Sequence, residues 1–267
     1  MTGPASLADD ASSAVSAAGA LRAMHAGLQP LVLPNVWDPV SARAFAEAGF
    51  GALATSSSAV AATLGYADGD TPAAEMLAVA ARIASSVRVP VSADVETGYD
   101  LPPAELVARL LDAGIAGCNL EDSDRASGLL NEPERQADYL AAVRAAAGAE
   151  LVINARVDVY VRQPAGRPAA ATDPARMQAA TDDAVARANW YLAAGADCAY
   201  PILAPTAAVA ELVQRTDGPV NVMLLPGGPS VAELTGLGVA RITFGGGLHA
   251  RAAKAVRELA AALAAEL

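Results

Sequence analysis

Short apolar runs alternate with alanine-rich segments of helical period along most of the chain, and this alternation limits the possible folds more than any other feature of the sequence. Several of the helical segments have proline near their start and glycine just past their end, as helix termini prefer. Eight runs have the length and composition of buried strands: LVLPNV from Leu31, GALATS from Gly51, VPVSADV from Val89, GCNLED from Gly117, LVINARV from Leu151, CAYPIL from Cys198, VNVML around Asn221 and RITFGG from Arg241.

Strands that are apolar on both faces indicate a parallel sheet covered by helices on both sides. Eight strand and helix units most economically close into an α/β fold of the (β/α)8 TIM-barrel type. We predict one such domain over residues 1–267, with residues 1–20 as a helical or loose extension. A doubly wound sheet is the alternative, but it needs a glycine-rich dinucleotide loop after the first strand, where LPNVWDP has no glycine.

The net charge of the chain limits the kinds of molecule that it can bind. The chain has 18 Lys and Arg against 29 Asp and Glu, a net charge of -11, which argues against a nucleic-acid or anionic membrane surface. A bound cation or a small anionic substrate fits better.

The sequence also bears on the cellular location of the protein. The first residues, MTGPASLADD, lack the basic start of a secretory leader, and Cys118 and Cys198 lie in apolar runs as buried thiols. We therefore expect a cytoplasmic protein.

The last helical segment, LHARAAKAVRELAAALAAEL, is long and rich in Ala and Leu. Such a helix can pack against a neighbouring subunit as well as against its own barrel. We therefore expect a homo-oligomer, either a dimer or a tetramer.

Polar residues gather at the carboxyl ends of the third, fourth and fifth predicted strands. The third run ends in Asp94 and Glu96, the fourth reaches Glu121, and the fifth carries Arg156 and Asp158. Because side chains alternate faces along a strand, residues two apart lie on the same face. Active sites of barrels form at this end, so these side chains are the first candidates for function.

Three carboxylates aimed into one small space are costly to bury without a cation, a shared proton or a paired arginine. Magnesium prefers oxygen ligands and is usually held by one or two carboxylates with several waters. Asp94, Glu96 and Glu121 fit this pattern, so we predict a Mg²⁺ site, with Mn²⁺ as a second candidate. The alternative is a salt-bridge network in which these carboxylates pair with Arg156 and Arg109.

Two further features bear on the chemistry. The single lysine, Lys254, lies on the last helix, which excludes a Schiff-base aldolase inside the barrel and favours a metal as the electron sink. Ser56 and Ser57 begin a helix, where backbone N–H groups and hydroxyls can hold a carboxylate or phosphate, although an ordinary helix cap is the alternative. Asp68 falls on a following loop that is able to close over the barrel mouth.

The ordered motifs NVWDPVSARAFAEAGFGALATSSSAVAATLGYADGD, PVSADVETGYD, GCNLEDSD and INARVDVY together resemble the isocitrate lyase and phosphoenolpyruvate mutase superfamily, from about Pro34 to the last helix. The resemblance implies a magnesium-dependent barrel that acts on 2-oxo or 2-hydroxy acids, with the eighth helix exchanged between paired subunits. It also implies that Asp94 ligates the metal directly, whereas Glu96 and Glu121 act through bound waters.

The same resemblance suggests roles for other residues. Arg156 would grip the anionic end of the substrate, and the backbone amides of Ser56 and Ser57 would hold its carboxylate. Asp68 would act near the reacting bond. We predict Asp68, Arg156 and Glu121 as the catalytic residues.

The chain also departs from the superfamily pattern. The loop SDRASGLLNEPERQ lacks the Cys, Lys and His of isocitrate and methylisocitrate lyases. After the sixth run, Tyr200-Pro201-Ile202 stands where family members place a Glu or a His. In the seventh run, we predict Asn221 as a further substrate contact.

We therefore predict a magnesium-dependent lyase that breaks a C–C bond of a small 2-oxo or 2-hydroxy acid through a pyruvate enolate. One alternative is a mutase or hydrolase that breaks the C–P bond of a phosphonopyruvate-type substrate, for which Arg125 and Arg162 are the candidate phosphonate contacts. Another is a barrel that binds an oxoacid with weak catalysis. Asp68, Asp124 or Tyr99 could move the proton, and the sequence does not choose among them.

Overall fold

The computed structural model of the protein describes residues 16–124, 126–162 and 173–266. Within these ranges the strands are β1 Leu31–Val32, β2 Asn35–Val36, β3 Leu53–Thr55, β4 Val91–Asp94, β5 Gly117–Glu121, β6 Val152–Val157, β7 Cys198–Pro201, β8 Asn221–Met223 and β9 Arg241–Thr243. The helices are α1 Ala17–Met24, α2 Pro39–Glu47, α3 Ser57–Leu64, α4 Ala73–Ser85, α5 Pro103–Asp112, α6 Pro133–Ala147, α7 Pro174–Ala193, α8 Thr206–Arg215, α9 Val231–Gly236 and α10 Gly247–Ala264. Most of the predicted N-terminal extension, and also Arg125, lie outside the described residues.

All strand pairs are parallel, and they form a six-stranded sheet in the order β2-β3-β4-β5-β6-β7 and a three-stranded sheet in the order β1-β9-β8. The continuous segment 31–36 belongs to both sheets. On the other side, a parallel bridge between Ala199 and Val220 joins β7 to β8, and Ala199 N donates to Pro219 O at 2.9 Å. The strands therefore follow one another around a ring in chain order, which confirms the predicted (β/α)8 fold.

The first predicted strand differs from expectation because it is divided into β1 and β2. Leu33 N donates to Ile242 O on one side at 2.8 Å, whereas Ala54 N donates to Pro34 O on the other side at 3.0 Å. Proline has no N–H to donate, so the chain changes its ladder partner at this point. Such a stagger between neighbours is what tilted barrel strands require.

The main core lies between the strand ring and the surrounding helices. α5 shows the pattern, because Leu106, Val107 and Leu110 lie on one face and are buried. Fully burying a side chain of this kind contributes about 1.5–3 kcal/mol. Cys118 and Cys198 are also fully buried as free thiols, as the sequence predicts, and burial raises the pKa of each to about 12.

A cluster of charges ties α1 to the amino-terminal end of the barrel, which we call the floor. Asp197, just before β7, accepts hydrogen bonds from Arg22 Nε at 2.7 Å and from Ile153 N at 2.8 Å, and Arg144 forms a further ion pair with it. Nearby, His25 Nδ1 lies 2.9 Å from Leu21 O. The floor is therefore closed by α1 and by paired charges.

The last helix, α10, is the least buried element of the described chain, since none of its residues is buried. Val256, Leu259 and Leu263 are 66%, 61% and 55% exposed, and their spacing places them along one side of the helix. No helix in the described ranges combines the length and apolarity required to span a lipid bilayer. The cytoplasmic location stays a prediction.

Candidate active site

Two adjoining cavities lie at the carboxyl ends of the strands, and both are lined by Ser57, Asp68 and Arg156. The outer cavity has a volume of about 370 Å³, and its other lining residues are Gly69, Glu96, Glu121, Val161 and Arg162. The inner cavity has a volume of about 190 Å³, and its wall includes Asn35, Asp94, Tyr200, Ile202, Met223 and Thr243. The structure therefore brings the predicted catalytic and metal-binding residues together at one end of the barrel.

Asp94, at the end of β4, is held by one of its two carboxylate oxygens. Asp94 Oδ2 accepts from Ser57 Oγ at 2.7 Å and from Ser57 N at 3.2 Å, and Asp94 N donates to Thr55 Oγ1 at 2.9 Å. Asp94 Oδ1 is buried and has no hydrogen-bond partner among the described residues. A buried carboxylate oxygen without a partner is costly, so Oδ1 marks a position for a cation or a donor from a ligand.

The two serines after β3 are engaged differently from the sequence prediction. Ser56 N donates to Val36 O at 3.2 Å, and Ser57 N donates to Asp94 rather than facing an open space. Ser56 Oγ accepts from Ala59 N at 3.4 Å, so the helix-cap alternative is confirmed for this residue. A substrate carboxylate would have to displace Asp94 to reach the Ser57 amide, which leaves the serine hydroxyls and the cavity lining as the available contacts.

Arg156, on β6, is held by two carboxylates. Its Nη1 lies 2.7 Å from Glu121 Oε2, while Nε and Nη2 donate to Asp158 at 2.6 and 3.1 Å. Burial acts to lower the pKa of Arg156, but Asp158 and Glu121 outweigh it and the pKa is raised, so the guanidinium stays charged. Of the predicted salt-bridge network, the pair between Glu121 and Arg156 forms, whereas Arg109 pairs instead with Glu105 on the surface of α5.

Glu121 and Glu96 are both buried beside this arginine, with 8% and 5% of their surfaces exposed. Burial raises the pKa of Glu121 to about 8, and the nearby Asp158, Asp94 and Glu96 act in the same direction against Arg156. Glu96 has a φ of 51°, a left-handed conformation that costs a non-glycine residue about 1–2 kcal/mol. The site therefore contains more carboxylates than Arg156 can balance. One of them, Glu96, belongs to a residue whose backbone is strained.

The arrangement of these carboxylates limits how a metal can bind. Among the residues that the structure describes, no three His, Cys, Asp or Glu side chains form a group that could hold a metal ion. Asp94, Glu96 and Glu121 therefore do not converge on a single point in this structure. The donor set still fits magnesium, because Asp94 Oδ1 offers one direct oxygen and the two glutamates can reach the ion through waters.

The structure distinguishes the three predicted proton carriers by position. Asp68 lines both cavities, whereas Tyr99 and Asp124 are not among the lining residues of either. Asp124 Oδ1 accepts from Ala126 N at 2.9 Å, and hydrogen bonds from this turn lower the pKa of Asp124 and keep it ionised. Asp68 is therefore the candidate that the geometry favours.

A buried layer behind Arg156 was missed by the sequence analysis. Asp158 accepts from Ser123 Oγ at 2.5 Å, and its own N–H donates to Asp122 Oδ1 at 2.8 Å. Asp122 Oδ2 in turn accepts from Tyr191 OH at 2.8 Å and from Arg187 Nη1 at 3.1 Å. Burial raises the pKa of Asp122. A charged residue on the small-residue face of α7 was the available signal for this layer, but a helix does not reveal which strand it covers.

Asn221 lies one layer below the inner cavity. It is fully buried, it is not among the lining residues, and its Oδ1 accepts from Thr243 Oγ1 at 3.2 Å. Thr243 itself lines the inner cavity. Asn221 therefore supports the cavity wall in this structure, and its direct contact with a substrate stays a prediction.

A ring of parallel strands with carboxylates and an arginine at its carboxyl end defines the class of the protein, the (β/α)8-barrel enzymes, whose active sites form at that end. The family model of phosphoenolpyruvate phosphomutase matches residues 21–264. The chain therefore belongs to this family and, with it, to the PEP mutase/isocitrate lyase superfamily of lyases and mutases. The superfamily resemblance seen in the sequence is confirmed.

Individual relatives agree with this assignment. An uncharacterised protein of Mycobacterium tuberculosis (strain H37Rv) is 34% identical over 243 residues, which cover 88% of this chain and 87% of the relative. A structure from Burkholderia cenocepacia J2315, provisionally named a phosphonomutase, is 39% identical with a TM-score of 0.83, covering 91% of this chain and 97% of the other. The structure of a 2,3-dimethylmalate lyase is 27% identical with a TM-score of 0.76, covering 92% and 86%.

Proposed function

We propose that the protein is a magnesium-dependent lyase that breaks a C–C bond of a small 2-oxo or 2-hydroxy acid and releases pyruvate. Cleavage of a 2-oxo acid leaves the bonding electron pair on pyruvate as its enolate, whereas cleavage of a 2-hydroxy acid leaves the pair on the other carboxylic acid and gives pyruvate directly as the ketone. The observation that carries this proposal is Asp94 Oδ1, a buried carboxylate oxygen without a partner among the described residues, in a site that also contains Glu96 and Glu121. When bound, magnesium supplies Lewis-acid stabilisation of the negative charge that develops on the substrate oxygen.

The side chains of the chain have separate tasks in this reaction. Arg156 uses three of its five N–H groups on Glu121 and Asp158, and it faces both cavities, so it can also donate to a substrate carboxylate. Asp68 lies at both cavities and is placed to take the proton of a substrate hydroxyl or to return one to the enolate carbon. Glu121 is held against Arg156, which keeps its carboxylate turned toward the site.

A second candidate function is cleavage of a C–P bond in a phosphonopyruvate-type substrate. Two observations favour it: the 39% identical relative provisionally named a phosphonomutase, and Arg162, which lines the outer cavity. Arg162 Nε donates to Ser123 Oγ at 3.0 Å, so its remaining N–H groups can face a phosphonate. Arg125, the other predicted phosphonate contact, lies outside the described residues.

The test is pyruvate release from oxaloacetate, a 2-methylisocitrate-type acid and phosphonopyruvate, each with and without Mg²⁺. Release from a carbon acid that depends on Mg²⁺ and is lost in Asp94→Asn supports the proposal, and Asp112→Asn, on the exposed end of α5, is the matched control. Release from phosphonopyruvate alone would favour the second candidate. Binding of the acids without any turnover would contradict both and indicate an oxoacid-binding barrel.

We also propose that the protein is a homo-oligomer in which a second copy covers the apolar side of α10 formed by Val256, Leu259 and Leu263. This side is more than half exposed within one chain, and its residues are those that an interface between helices needs. Light scattering after gel filtration should give a dimer or tetramer, and Leu259→Glu should shift it to a monomer. A monomeric native protein would contradict this proposal.

A further inference from the structure

One wall of the inner cavity is apolar, in contrast to the rest of the site. Ile202 directly follows β7, and Met223 is the last residue of β8. Met223 packs closely against the turn after β9, where a Cβ added to Gly245 would lie 2.6 Å from Met223 Sδ. The absence of a side chain at Gly245 thus lets Met223 approach this turn closely, and Ile202 and Met223 together form what we call the apolar wall.

The polar groups next to the apolar wall are bonded to one another. Asn35 Oδ1 accepts from Phe244 N at 2.7 Å and from Gly245 N at 3.0 Å, and Asn35 Nδ2 donates to Thr55 O at 2.8 Å. These bonds use both lone pairs of the amide oxygen. The first two N–H groups of the turn after β9 therefore donate to Asn35, and they are not available to bind an anion.

The hydroxyls on this side of the cavity are also engaged. Thr243 Oγ1 is hydrogen-bonded to the Tyr200 hydroxyl at 3.3 Å and to Asn221 Oδ1 at 3.2 Å. All three residues are buried, so these bonds form away from bulk solvent. A substrate carboxylate placed against the apolar wall would meet hydroxyl groups that already form hydrogen bonds with other residues of the protein.

The charged side chains that line the inner cavity also disfavour a substrate carboxylate at the apolar wall. Among the described residues that line the inner cavity, Arg156 is the only basic side chain, and it is already shared by Glu121 and Asp158. Asp68 and Asp94 add negative charge to the same lining. A carboxylate buried at the apolar wall would therefore lack a cationic partner and face like charges, and such burial is strongly unfavourable.

We propose that the substrate directs its carboxylates toward Arg156 and the outer cavity and presents an uncharged, apolar C3 substituent of methyl to ethyl size to Ile202 and Met223. The volume of about 190 Å³ is small for a ligand pocket, which leaves room for a small substituted acid but not for a long chain. This inference rests on the proposed function and specifies its substrate class.

The test compares two acids that differ at one carbon, a 2,3-dimethylmalate and a 2-methylisocitrate, in which a carboxymethyl group replaces the C3 methyl group. Equilibrium binding in the presence of Mg²⁺ is measured by calorimetry, independently of pyruvate release. A small apolar group in a matching pocket typically changes discrimination about 10–200-fold. We expect the methyl acid to bind at least about tenfold more tightly.

Two variants of Ile202 test whether the apolar wall causes the preference for the methyl acid. Ile202→Arg supplies a cation at this position and should favour the carboxymethyl acid, whereas Ile202→Val keeps the wall apolar and should retain the native order. Thermal unfolding of both variants checks that they are folded, and Met223→Leu replaces Ile202→Val if the latter is unstable. Equal binding of the two acids, tighter binding of the carboxymethyl acid, or no binding of the methyl acid would overturn the inference.

The outcomes also separate this inference from the proposed lyase. Preferential binding of the methyl acid without pyruvate release would support the apolar wall and contradict the lyase. Pyruvate release from both acids with equal affinity would support the lyase and contradict the apolar wall.

Discussion

The floor and the mouth of the barrel use the same types of charged residue in opposite ways. At the floor, one carboxylate, Asp197, is bound by two arginines and a backbone amide. At the mouth, one arginine, Arg156, is shared by Glu121 and Asp158, while Asp94 Oδ1 has no partner among the described residues. At the floor the chain itself supplies every partner of the carboxylate, whereas the mouth needs a positive charge from outside the chain.

This difference separates stability from chemistry. In barrels, the amino-terminal end contributes mainly to stability and the carboxyl end carries the active site. A change in charge should therefore unfold the protein when it is made at the floor and inactivate it when it is made at the mouth. The following predictions test this separation, beginning with the largest effect.

Asp94→Asn should give the largest loss. It removes the anionic oxygen proposed to hold Mg²⁺, whose Lewis-acid contribution is worth several kcal/mol, so kcat/KM should fall roughly 10³-fold or more. The free energy of unfolding should change little, because the variant relieves like-charge repulsion among the carboxylates. Steady-state kinetics and urea unfolding measure the two effects. An activity within tenfold of the native value would show that the charge of Asp94 is not required.

Asp197→Asn should show the reverse pattern at the floor. It leaves Arg22 and Arg144 without their shared carboxylate, and breaking this partly buried ion-paired group costs about 3 kcal/mol. Urea unfolding should show this loss, while kcat at a temperature where the variant is folded should stay near the native value. A loss of kcat as large as that in Asp94→Asn would break the proposed division between the two ends.

The floor should also respond to acid through His25. Burial, aided by Arg241, lowers the pKa of His25 from 6.5 to about 4, so the folded state keeps it neutral while the unfolded state takes up a proton below pH 6.5. The resulting stability is fully present above pH 6.5 and is lost as the pH falls toward 4, by about 3 kcal/mol in total. Urea midpoints of the native protein and His25→Gln between pH 7 and pH 4 should converge. Parallel pH profiles would contradict this assignment.

Ser123→Ala should give the smallest effect, at the support of the mouth. It removes the hydrogen bond from Ser123 Oγ to Asp158 Oδ2 and the partner of Arg162 Nε, at a cost of about 1 kcal/mol of unfolding free energy. Asp158 keeps Arg156 in place, so we expect KM to rise while kcat stays within about fivefold. Ser127→Ala, in the exposed part of the following loop, is the matched control. A fall in kcat alone would place Ser123 closer to the chemistry.

The sequence predicted the parts of the structure that leave a local pattern. The alternation of strand and helix periods predicted the barrel, and the position of Asp94, Glu121 and Arg156 at strand ends placed them at the mouth. The engagement of Ser57 by Asp94 was not predicted, because residues 37 apart in sequence meet only through the pairing of β3 with β4.

The support of Asp122 by α7 shows the same limitation at longer range. Arg187 and Tyr191 lie on a helix whose own period does not indicate the strand end beneath it. The division of the first strand at Pro34 likewise depends on the tilt of the closed ring rather than on local composition. Contacts set by closure of the barrel are therefore the part that sequence patterns do not contain.

The amide of Asn35 joins the two ends of the chain, and this has a consequence for synthesis on the ribosome. Its oxygen accepts from Gly245 N, a residue 210 positions later. At about 5–20 residues per second, the first strand waits roughly 10–40 s for this partner to be translated. During that time the nascent chain exposes unpaired strand edges, which can pair with other chains. Chaperone supply during translation should therefore affect the yield of this protein more than it affects the stability of the finished molecule.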